Sequence, residues 1–425
     1  MNTDTARTFE KPYRTYGARL FNLMGRQLRR WGWVKRLSIH DILDSACRHT
    51  GLSDWGDERF HEPLQVLLKS LEDEAQLNSL GRLCMRLNLR HFAANRLRVR
   101  HFLKLHPQAL TEPIRQPMFV VGLPRTGTTL LYNLLGQDAE RRSLLMWEGL
   151  QPAPDAKVLA GKRDRRLART RRLVTIVDRW GAPQLKTVHP FHADGPEECT
   201  HLLFNTFVCP AFLLFGNVPS YNEWLRGRGR ELLTWVYEEY RTYLQVLQYQ
   251  GRRAPWVLKS PAHFFGLEGL LKVFPDACVV RTHRDMNQVI PSTCSLFAIM
   301  QGLYSDEVDC RRLGPEIAQS IAMYLDSRAG GGVELEAKHI LDIQYRLLVS
   351  DPLGAIRNIY NHFGLDLDHG MEQRMRHWLA ENPANKHGTH QYDLEQFGLT
   401  RPDIDRLFGS YQEQFIPLAQ TERGR

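Results

Sequence analysis

The chain has 425 residues, 43% of them hydrophobic and 24% charged, which is typical of a soluble globular protein with one large domain or a core plus an accessory domain. Its formal net charge of +9 suits an anionic ligand or a membrane surface. No zinc-finger spacing, aromatic RNA-binding signature or continuous basic arm accompanies that charge, so we expect no nucleic-acid partner.

We expect a cytoplasmic protein from three features. The first residues contain no apolar signal core. The most apolar run, 202–218, is short for a membrane span and is interrupted by Asn205, Thr206 and Pro210. The seven Cys are scattered, odd in number and without CxxC spacing, which predicts free thiols in a reducing compartment.

The first predicted elements are helices. Residues 14–36 mix Arg and Lys with apolar side chains, the pattern of a basic amphipathic helix. Such a helix either packs on the body of the protein or makes peripheral contact with a membrane surface. From Ser38, a helix N-cap, to His106 the apolar residues recur at helical spacing. We therefore predict a helical N-terminal region over residues 1–115.

A strand, a tight loop and a helix follow. Residues 118–121 are apolar and predict a short buried strand. Residues 122–127 contain two Gly and one Pro, which predict the loop, and residues 128–136 have a helical apolar face. Unpaired N–H groups and the positive end of the helix dipole then face the loop. This arrangement predicts an anion site.

The loop has the glycine spacing of a nucleotide triphosphatase but lacks its lysine. Gly122 and Gly127 fit the pattern G-x-x-x-x-G-K-[ST], but Thr128 stands where the Lys belongs. A positive charge appears instead within the loop, at Arg125. A P-loop kinase or other nucleotide triphosphatase is therefore the alternative rather than the leading hypothesis.

The rest of the chain predicts an α/β fold. The stretch of about 150–250 is largely helical, and strand patterns follow at 256–259, 277–284 and 340–345. Strands that alternate with helices favour a mainly parallel sheet flanked by helices. We predict a P-loop-like α/β domain over residues 116–425.

A segment rich in metal-ligand residue types precedes the third strand. These residues are His189, His192, Glu198, Cys199 and His201. Their spacings match no familiar metal site and two Pro interrupt them. We expect this segment to line a pocket, and we expect no metal.

Open α/β sheets bind ligands beyond the carboxyl ends of their strands, so polar residues at those ends are candidate site residues. They are Arg125 with Thr126 to Thr129, Glu148, Lys259 with Ser260, Arg284 with Ser292, and Tyr345. Most are cations or hydroxyls, which indicates a multiply anionic ligand.

Two of these groups carry a family resemblance. Residues 122–129 resemble the 5′-phosphosulfate loop of sulfotransferases, which use 3′-phosphoadenosine-5′-phosphosulfate (PAPS) as sulfuryl donor. Arg284 and Ser292, eight residues apart, match the family's signature for the 3′-phosphate. Tyr345 matches a Tyr that lies near the adenine. The donor-binding residues that the resemblance implies are Pro124, Arg125, Thr126, Gly127, Thr128, Thr129, Arg284, Ser292 and Tyr345.

The resemblance covers nearly the whole chain. The Leu-Lys-Ser-Pro and Pro-Glu-Glu segments and the tail at 390–399 resemble bacterial-type members, which also have a helical N-terminal region. It implies sulfuryl transfer from PAPS to a hydroxyl or amine, with Arg125 and Lys259 stabilising the leaving phosphate and with no metal. A member that has lost catalysis and acts as a binding protein is a further alternative, which the retained cations and Ser292 argue against.

The resemblance also bears on the catalytic base. Cytosolic members use a His two residues after the strand-end Lys, but Pro261 occupies that position here. Tyrosylprotein and heparan-type members use a Glu some twenty residues after the loop Arg. Glu148, 23 residues after Arg125 and at a predicted strand end, fits that pattern and is the expected base. The histidines left as alternatives are His263, His189 and His192.

The acceptor stays open between a small molecule, a lipid and a carbohydrate. Six aromatic residues between 204 and 224 either line an apolar pocket or belong to the core. They are Phe204, Phe207, Phe212, Phe215, Tyr221 and Trp224. The sequence carries no signal for an oligomeric state.

Overall fold

A five-stranded sheet with the order β2-β3-β1-β4-β5 forms the centre of the fold. All its neighbouring strands are parallel, as the sequence predicts. The strands are β1 (Met118–Gly122), β2 (Arg142–Ser143), β3 (Trp256–Lys259), β4 (Cys278–His283) and β5 (Ile340–Gln344). The computed structural model describes residues 14–31, 36–181, 191–325, 337–382 and 393–416.

Helices precede the sheet, connect its strands and follow it. Among the described residues, four come before β1: α1 (Tyr16–Arg30), α2 (Ile39–Thr50), α3 (His61–Asp73) and α4 (Ser79–Leu105). Between β1 and β3 lie α5 (Thr128–Leu135), α6 (Met146–Leu150), α7 (Ala156–Leu159), α8 (Arg166–Ile176), α9 (Thr200–Leu203), α10 (Pro219–Arg226) and α11 (Arg230–Gln250). The later helices are α12 (Leu267–Val273), α13 (Met286–Tyr304), α14 (Cys310–Leu325), α15 (Tyr345–Ser350), α16 (Pro352–His362), α17 (His369–Glu381) and α18 (Arg401–Phe415).

Strand β1 is apolar on both faces because both faces of the sheet are covered. Phe119 and Val121 pack into a core shared with the N-terminal helices. Met118 and Val120 pack on the opposite side, against α5, α16 and α17. A parallel strand buried on both faces reads as a continuous apolar run rather than an alternating one. The central position of β1 places the loop that follows it in the middle of the carboxyl edge.

The N-terminal helices and the sheet share one hydrophobic core. Leu64 of α3, Leu89 of α4 and Tyr240 of α11 belong to the same buried cluster as Phe119. Arg96 of α4, which is buried, donates to a Glu239 carboxylate oxygen of α11 at 2.9 Å. The boundary at residue 115 stays a prediction, because the core runs across it.

Helix α1 contacts the body of the protein through its polar side. Asn22 accepts a hydrogen bond from the Leu80 N–H at 2.8 Å, and Gly25 lies against Ser79. These two are the buried residues of α1, whereas its large apolar side chains are exposed. Within the described residues, no helix combines the length and the apolar character that crossing a membrane requires.

Candidate active site

The loop after β1 is built to hold its backbone close to β4. The Thr126 hydroxyl donates to the Leu123 carbonyl at 2.7 Å and lies 2.6 Å from the Thr282 hydroxyl. A Cβ on Gly122 would meet that Thr282 oxygen at 2.3 Å, so only glycine allows this approach. Thr126 is buried and therefore supports the loop rather than facing a ligand.

Two residues of this loop have left-handed backbone conformations. Gly127, with φ +89°, precedes α5, and a Cβ there would lie 2.9 Å from the Tyr345 ring. Arg125 has φ +70°, which is unusual for a residue with a side chain. Strain of this kind is concentrated at functional sites, where it fixes the direction of a backbone or side chain.

Arg284 connects the loop to the end of β4. Its Nη1 donates to the Arg125 carbonyl at 2.8 Å, and its guanidinium carbon lies 4.1 Å from the centre of the Tyr345 ring. Gln288, in the first turn of α13, accepts from Nε and Nη2 at 3.1 and 2.9 Å. Partial burial lowers the pKa of Arg284, and the charge of Arg125 acts in the same direction.

The side chain of Arg125 contacts Ser292, which forms with Arg284 the pair that resembles a 3′-phosphate signature. Its Nε donates to the Ser292 hydroxyl at 3.2 Å. The two motifs, which lie more than 150 residues apart in the chain, are therefore in direct contact. No ion pair neutralises Arg125 or Arg284 among the residues that the structure describes. This unneutralised charge suits a multiply anionic ligand.

A buried cation lies beside the loop at the end of β3. Lys259 is 3% exposed, donates to the Thr129 hydroxyl at 3.3 Å and forms an ion pair with Glu198. The second Glu198 oxygen accepts from Thr200 at 3.2 Å. A backbone bond from Cys199 N to the Lys259 carbonyl, 2.9 Å long, holds this segment on the strand.

A cavity of about 1160 Å³ opens over these groups. Its polar wall includes Arg125, Gly127, Thr128, Thr129, Glu198, Lys259, Arg284 and Tyr345. Its apolar wall includes Phe92, Phe204, Leu213, Phe215, Phe297, Met300, Tyr304, Ile317 and Ile321. The volume exceeds the range of about 300–1,000 Å³ of ordinary ligand pockets, so it has room for two substrates.

The model of the sulfotransferase family matches residues 117–369, which is more than half of the chain. The chain belongs to the sulfotransferase family. The match includes β1, the loop, both ends of the Arg284–Ser292 pair and Tyr345. The resemblance found in the sequence is confirmed at the level of the family, and the chain is a sulfotransferase.

Curated relatives and solved structures agree with this assignment. The chain is 29% identical over 317 residues to omega-hydroxy-beta-dihydromenaquinone-9 sulfotransferase Stf3 of Mycobacterium bovis, covering 70% of this chain and 74% of that protein. It is 29% identical to the solved sulfotransferase STF9 of Mycobacterium avium, with a TM-score of 0.79 over 89% of this chain and 96% of that one. It is also 29% identical to the solved sulfotransferase STF1 of Mycobacterium tuberculosis H37Rv, with a TM-score of 0.74 over 88% of this chain and 99% of that one.

Glu148, the expected base of this sulfotransferase, does not line the cavity. It lies in α6 and not at a strand end, so that part of the prediction is wrong. One carboxylate oxygen accepts from Arg142 at 2.5 Å, and the other accepts from the Leu145 N–H at 3.1 Å. Glu148 is 6% exposed. Both oxygens are thus engaged in a buried ion pair and a helix cap.

The two histidine alternatives that the structure describes, His263 and His192, do not line the cavity. His263 is buried, with Nδ1 3.1 Å from the Tyr237 hydroxyl, and burial lowers the pKa of His263 to about 3. His192 is exposed and is not a lining residue. His189 lies outside the described residues. Sequence reasoning placed these histidines near the site because it could not tell which side of a segment faces the cavity.

The structure gives Glu198 a position that sequence reasoning did not assign to it. The sequence predicts that the Pro-Glu-Glu segment lines a pocket, but it does not reveal the contact of Glu198 with Lys259, 61 residues further along the chain. The aromatic residues divide between both expected roles, because Phe204 and Phe215 line the cavity whereas Phe207 is in the core alone. Among the described residues, no group of three or more metal-ligating side chains is placed to hold a metal ion.

Proposed function

We propose that this sulfotransferase takes PAPS as donor and transfers its sulfuryl group to the hydroxyl of a lipophilic alcohol. The observation that supports PAPS as the donor is the contact between the two cationic motifs. In this contact Arg284 Nη1 donates to the Arg125 carbonyl at 2.8 Å. It joins a loop suited to a 5′-phosphosulfate to an Arg–Ser pair suited to a 3′-phosphate. A nucleotide with one anionic group on its 5′ side and another on its 3′ side could contact both motifs.

The donor supplies a sulfuryl group on a phosphate leaving group, and the protein supplies position and charge. Sulfuryl transfer, like phosphoryl transfer, proceeds in line with little covalent work for the enzyme. The N–H groups at the start of α5, Arg125 and Lys259 stabilise the negative charge that develops on the leaving phosphate. Lys259 is already nearly free of water, which strengthens that interaction.

The acceptor must lose a proton as its oxygen bonds to sulfur and the bridging S–O bond of the donor breaks. We assign that proton to a carboxylate of the cavity wall, and the contacts favour Glu198. It lies beside Lys259, which contacts Thr129 of the loop. Glu148, the prediction from the family resemblance, is the competing assignment.

Paired variants separate the two carboxylates. Glu198→Gln is expected to lower kcat by about 100-fold or more, because a positioned base contributes that much. Glu148→Gln is expected to keep kcat within a few-fold of wild type while lowering Tm, because it leaves the buried Arg142 without its charged partner. Steady-state rates, their pH profiles and thermal melts are the measurements. The reverse pattern of rates would return the base role to Glu148.

The lipophilic acceptor follows from the apolar half of the cavity. Phe204, Phe215, Phe297, Met300 and Ile321 form a wall suited to rings and hydrocarbon chains. The relative Stf3 is named for omega-hydroxy-beta-dihydromenaquinone-9, and a lipophilic alcohol of that kind would suit this wall. A labelled-donor screen should therefore favour prenyl, sterol and long-chain alcohols over sugars.

Calorimetry tests the donor independently of any acceptor. We expect tight binding of adenosine 3′,5′-bisphosphate without metal, and no comparable binding of ATP with Mg²⁺. The reason is that Thr128 occupies the position of the lysine that would contact a γ-phosphate. Tight binding of ATP together with failure to bind the bisphosphate would support the nucleotide triphosphatase alternative instead.

A further inference from the structure

Helix α1 has the reverse of the usual arrangement of a surface helix. The side chains that face the protein are Asn22 and Gly25. The large apolar side chains face outward, and their exposed fractions are 58% for Leu20, 55% for Leu23 and 60% for Met24. Ordinary amphipathic helices bury their apolar stripe against the core. An apolar stripe turned away from the core indicates a partner outside the chain.

The outward face is continuous along the helix. At 3.6 residues per turn its members fall on one side, opposite Asn22 and Gly25. They are Tyr16, Leu20, Leu23, Met24 and, just beyond the last turn, Trp31. We call these residues the outer face of α1. Gln27 is the polar residue within it.

Basic residues border the outer face along one side. Arg19 and Arg30 are exposed on its border, and α1 contains no acidic residue. Arg14 and Arg26 are occupied by ion pairs with Asp306, which fix the helix to the body. Arg19 and Arg30 form no ion pair among the described residues. Such arginines beside exposed Leu, Met and Trp are typical of helices that lie in a bilayer interface.

Exposed apolar side chains also occur on α4, the helix that α1 contacts through Gly25 and Ser79. Leu83 and Leu87 of α4 are 40% and 41% exposed, and they follow Ser79 on the same helix. Leu87 lines the cavity, as does Leu173 of α8, which is 45% exposed. Arg14 donates to the carbonyl of Gly302, close to the cavity residue Tyr304.

We propose that the outer face of α1, with Leu83 and Leu87, docks on an anionic lipid bilayer. The apolar side chains enter the headgroup region and the border arginines contact anionic lipids. Docking would place the cavity entrance at the bilayer surface, where a lipophilic alcohol resides. That consequence rests on the proposed acceptor, whereas the docking surface itself does not.

The positive border favours a bilayer over a second copy of the chain. A symmetric dimer through this helix would bring the uncommitted arginines of both copies together, and like charges across an interface oppose association. Binding to an anionic lipid surface is instead strengthened by each of these arginines.

Vesicle sedimentation tests the proposal on the full-length protein. We expect wild type to pellet with vesicles of phosphatidylcholine and phosphatidylglycerol, and much less with phosphatidylcholine alone or at high salt. The double variant Leu20→Glu, Leu23→Glu should lower the partition coefficient at least about tenfold. Arg19→Gln with Arg30→Gln should remove most of the preference for anionic vesicles.

A matched control is available elsewhere on the surface. Leu105 and Leu110 are 52% and 49% exposed and line no part of the cavity. Leu105→Glu with Leu110→Glu makes the same change in charge and apolar area and should leave vesicle binding unchanged. An equal loss of vesicle binding in this control overturns the proposal. So does a wild-type protein that binds no vesicles. A wild-type dimer that the Leu20→Glu, Leu23→Glu variant dissociates also overturns it.

Bisphosphate binding separates this proposal from the proposed function. The affinity for adenosine 3′,5′-bisphosphate should be the same in wild type and in all three double variants, because none of them touches the donor site. Normal bisphosphate binding without vesicle binding refutes docking alone. Vesicle binding without bisphosphate binding refutes the proposed donor alone.

Discussion

Replacing Lys259 by methionine is expected to lower kcat about 1,000-fold, the upper range for the loss of one charge-stabilising donor. Methionine keeps most of the length of the buried side chain and removes its charge. The side chain is 3% exposed, so water cannot substitute for the lost ammonium. Because the charge on the phosphate grows as the S–O bond breaks, the loss should appear mainly in kcat rather than in donor affinity.

The control for this prediction is Lys272→Met. Lys272 is an exposed lysine on α12, the helix that follows the β3 loop, and its replacement should leave kcat unchanged. Lys259→Met also removes the partner of Glu198, so thermal melts should accompany the kinetics. A folded Lys259→Met variant that keeps kcat within tenfold of wild type would contradict the role assigned to this lysine.

Arg284→Ala is expected to raise the Kd for adenosine 3′,5′-bisphosphate roughly 100-fold, since about 3 kcal/mol of charge-assisted hydrogen bonding is lost. The guanidinium is held between Gln288 and the Tyr345 ring, so it is preorganised for an anion. Gln288→Ala, which leaves the charge but loosens its position, should have an intermediate effect. Isothermal titration calorimetry measures all three proteins.

Adenosine 5′-monophosphate distinguishes a lost phosphate contact from a disturbed loop. It lacks the 3′-phosphate, so wild type and Arg284→Ala should bind it within a few-fold of each other. Arg284 also donates to the Arg125 carbonyl, and a collapsed loop would weaken both nucleotides equally. Equal loss for the two ligands would mean that Arg284 supports the loop and does not read the 3′-phosphate.

Local sequence signals predicted the centre of the site well. The strand at Met118, the glycine loop and the helix from Thr128 are each specified by residues that neighbour one another in the chain. A single run of apolar, glycine and threonine residues is enough to fix such a unit. The parallel sheet followed from the alternation of strands and helices, which leaves few topologies.

The failures concern which groups occupy a polar side chain and which face of a helix meets the rest of the protein. Glu148 has the family spacing from Arg125, but Arg142 and the Leu145 N–H occupy its carboxylate, and neither partner is visible as such in the sequence. Helix α1 has a clear amphipathic pattern, yet periodicity does not say which face meets the protein. The inward face of α1 is set by the fit of Asn22 and Gly25 against Ser79 and Leu80.

The hydrogen bond between Arg284 and the loop after β1 ends on a main-chain carbonyl. Arg284 therefore contacts the loop in a way that does not depend on which side chain stands at position 125. The positive φ of Arg125 is a conformation that glycine or asparagine adopts more readily, so the local backbone tolerates replacement there. Under the proposed function, replacing Arg125 by glycine or asparagine should weaken binding of the phosphosulfate and remove the contact with Ser292, while the hydrogen bond from Arg284 to the loop is kept.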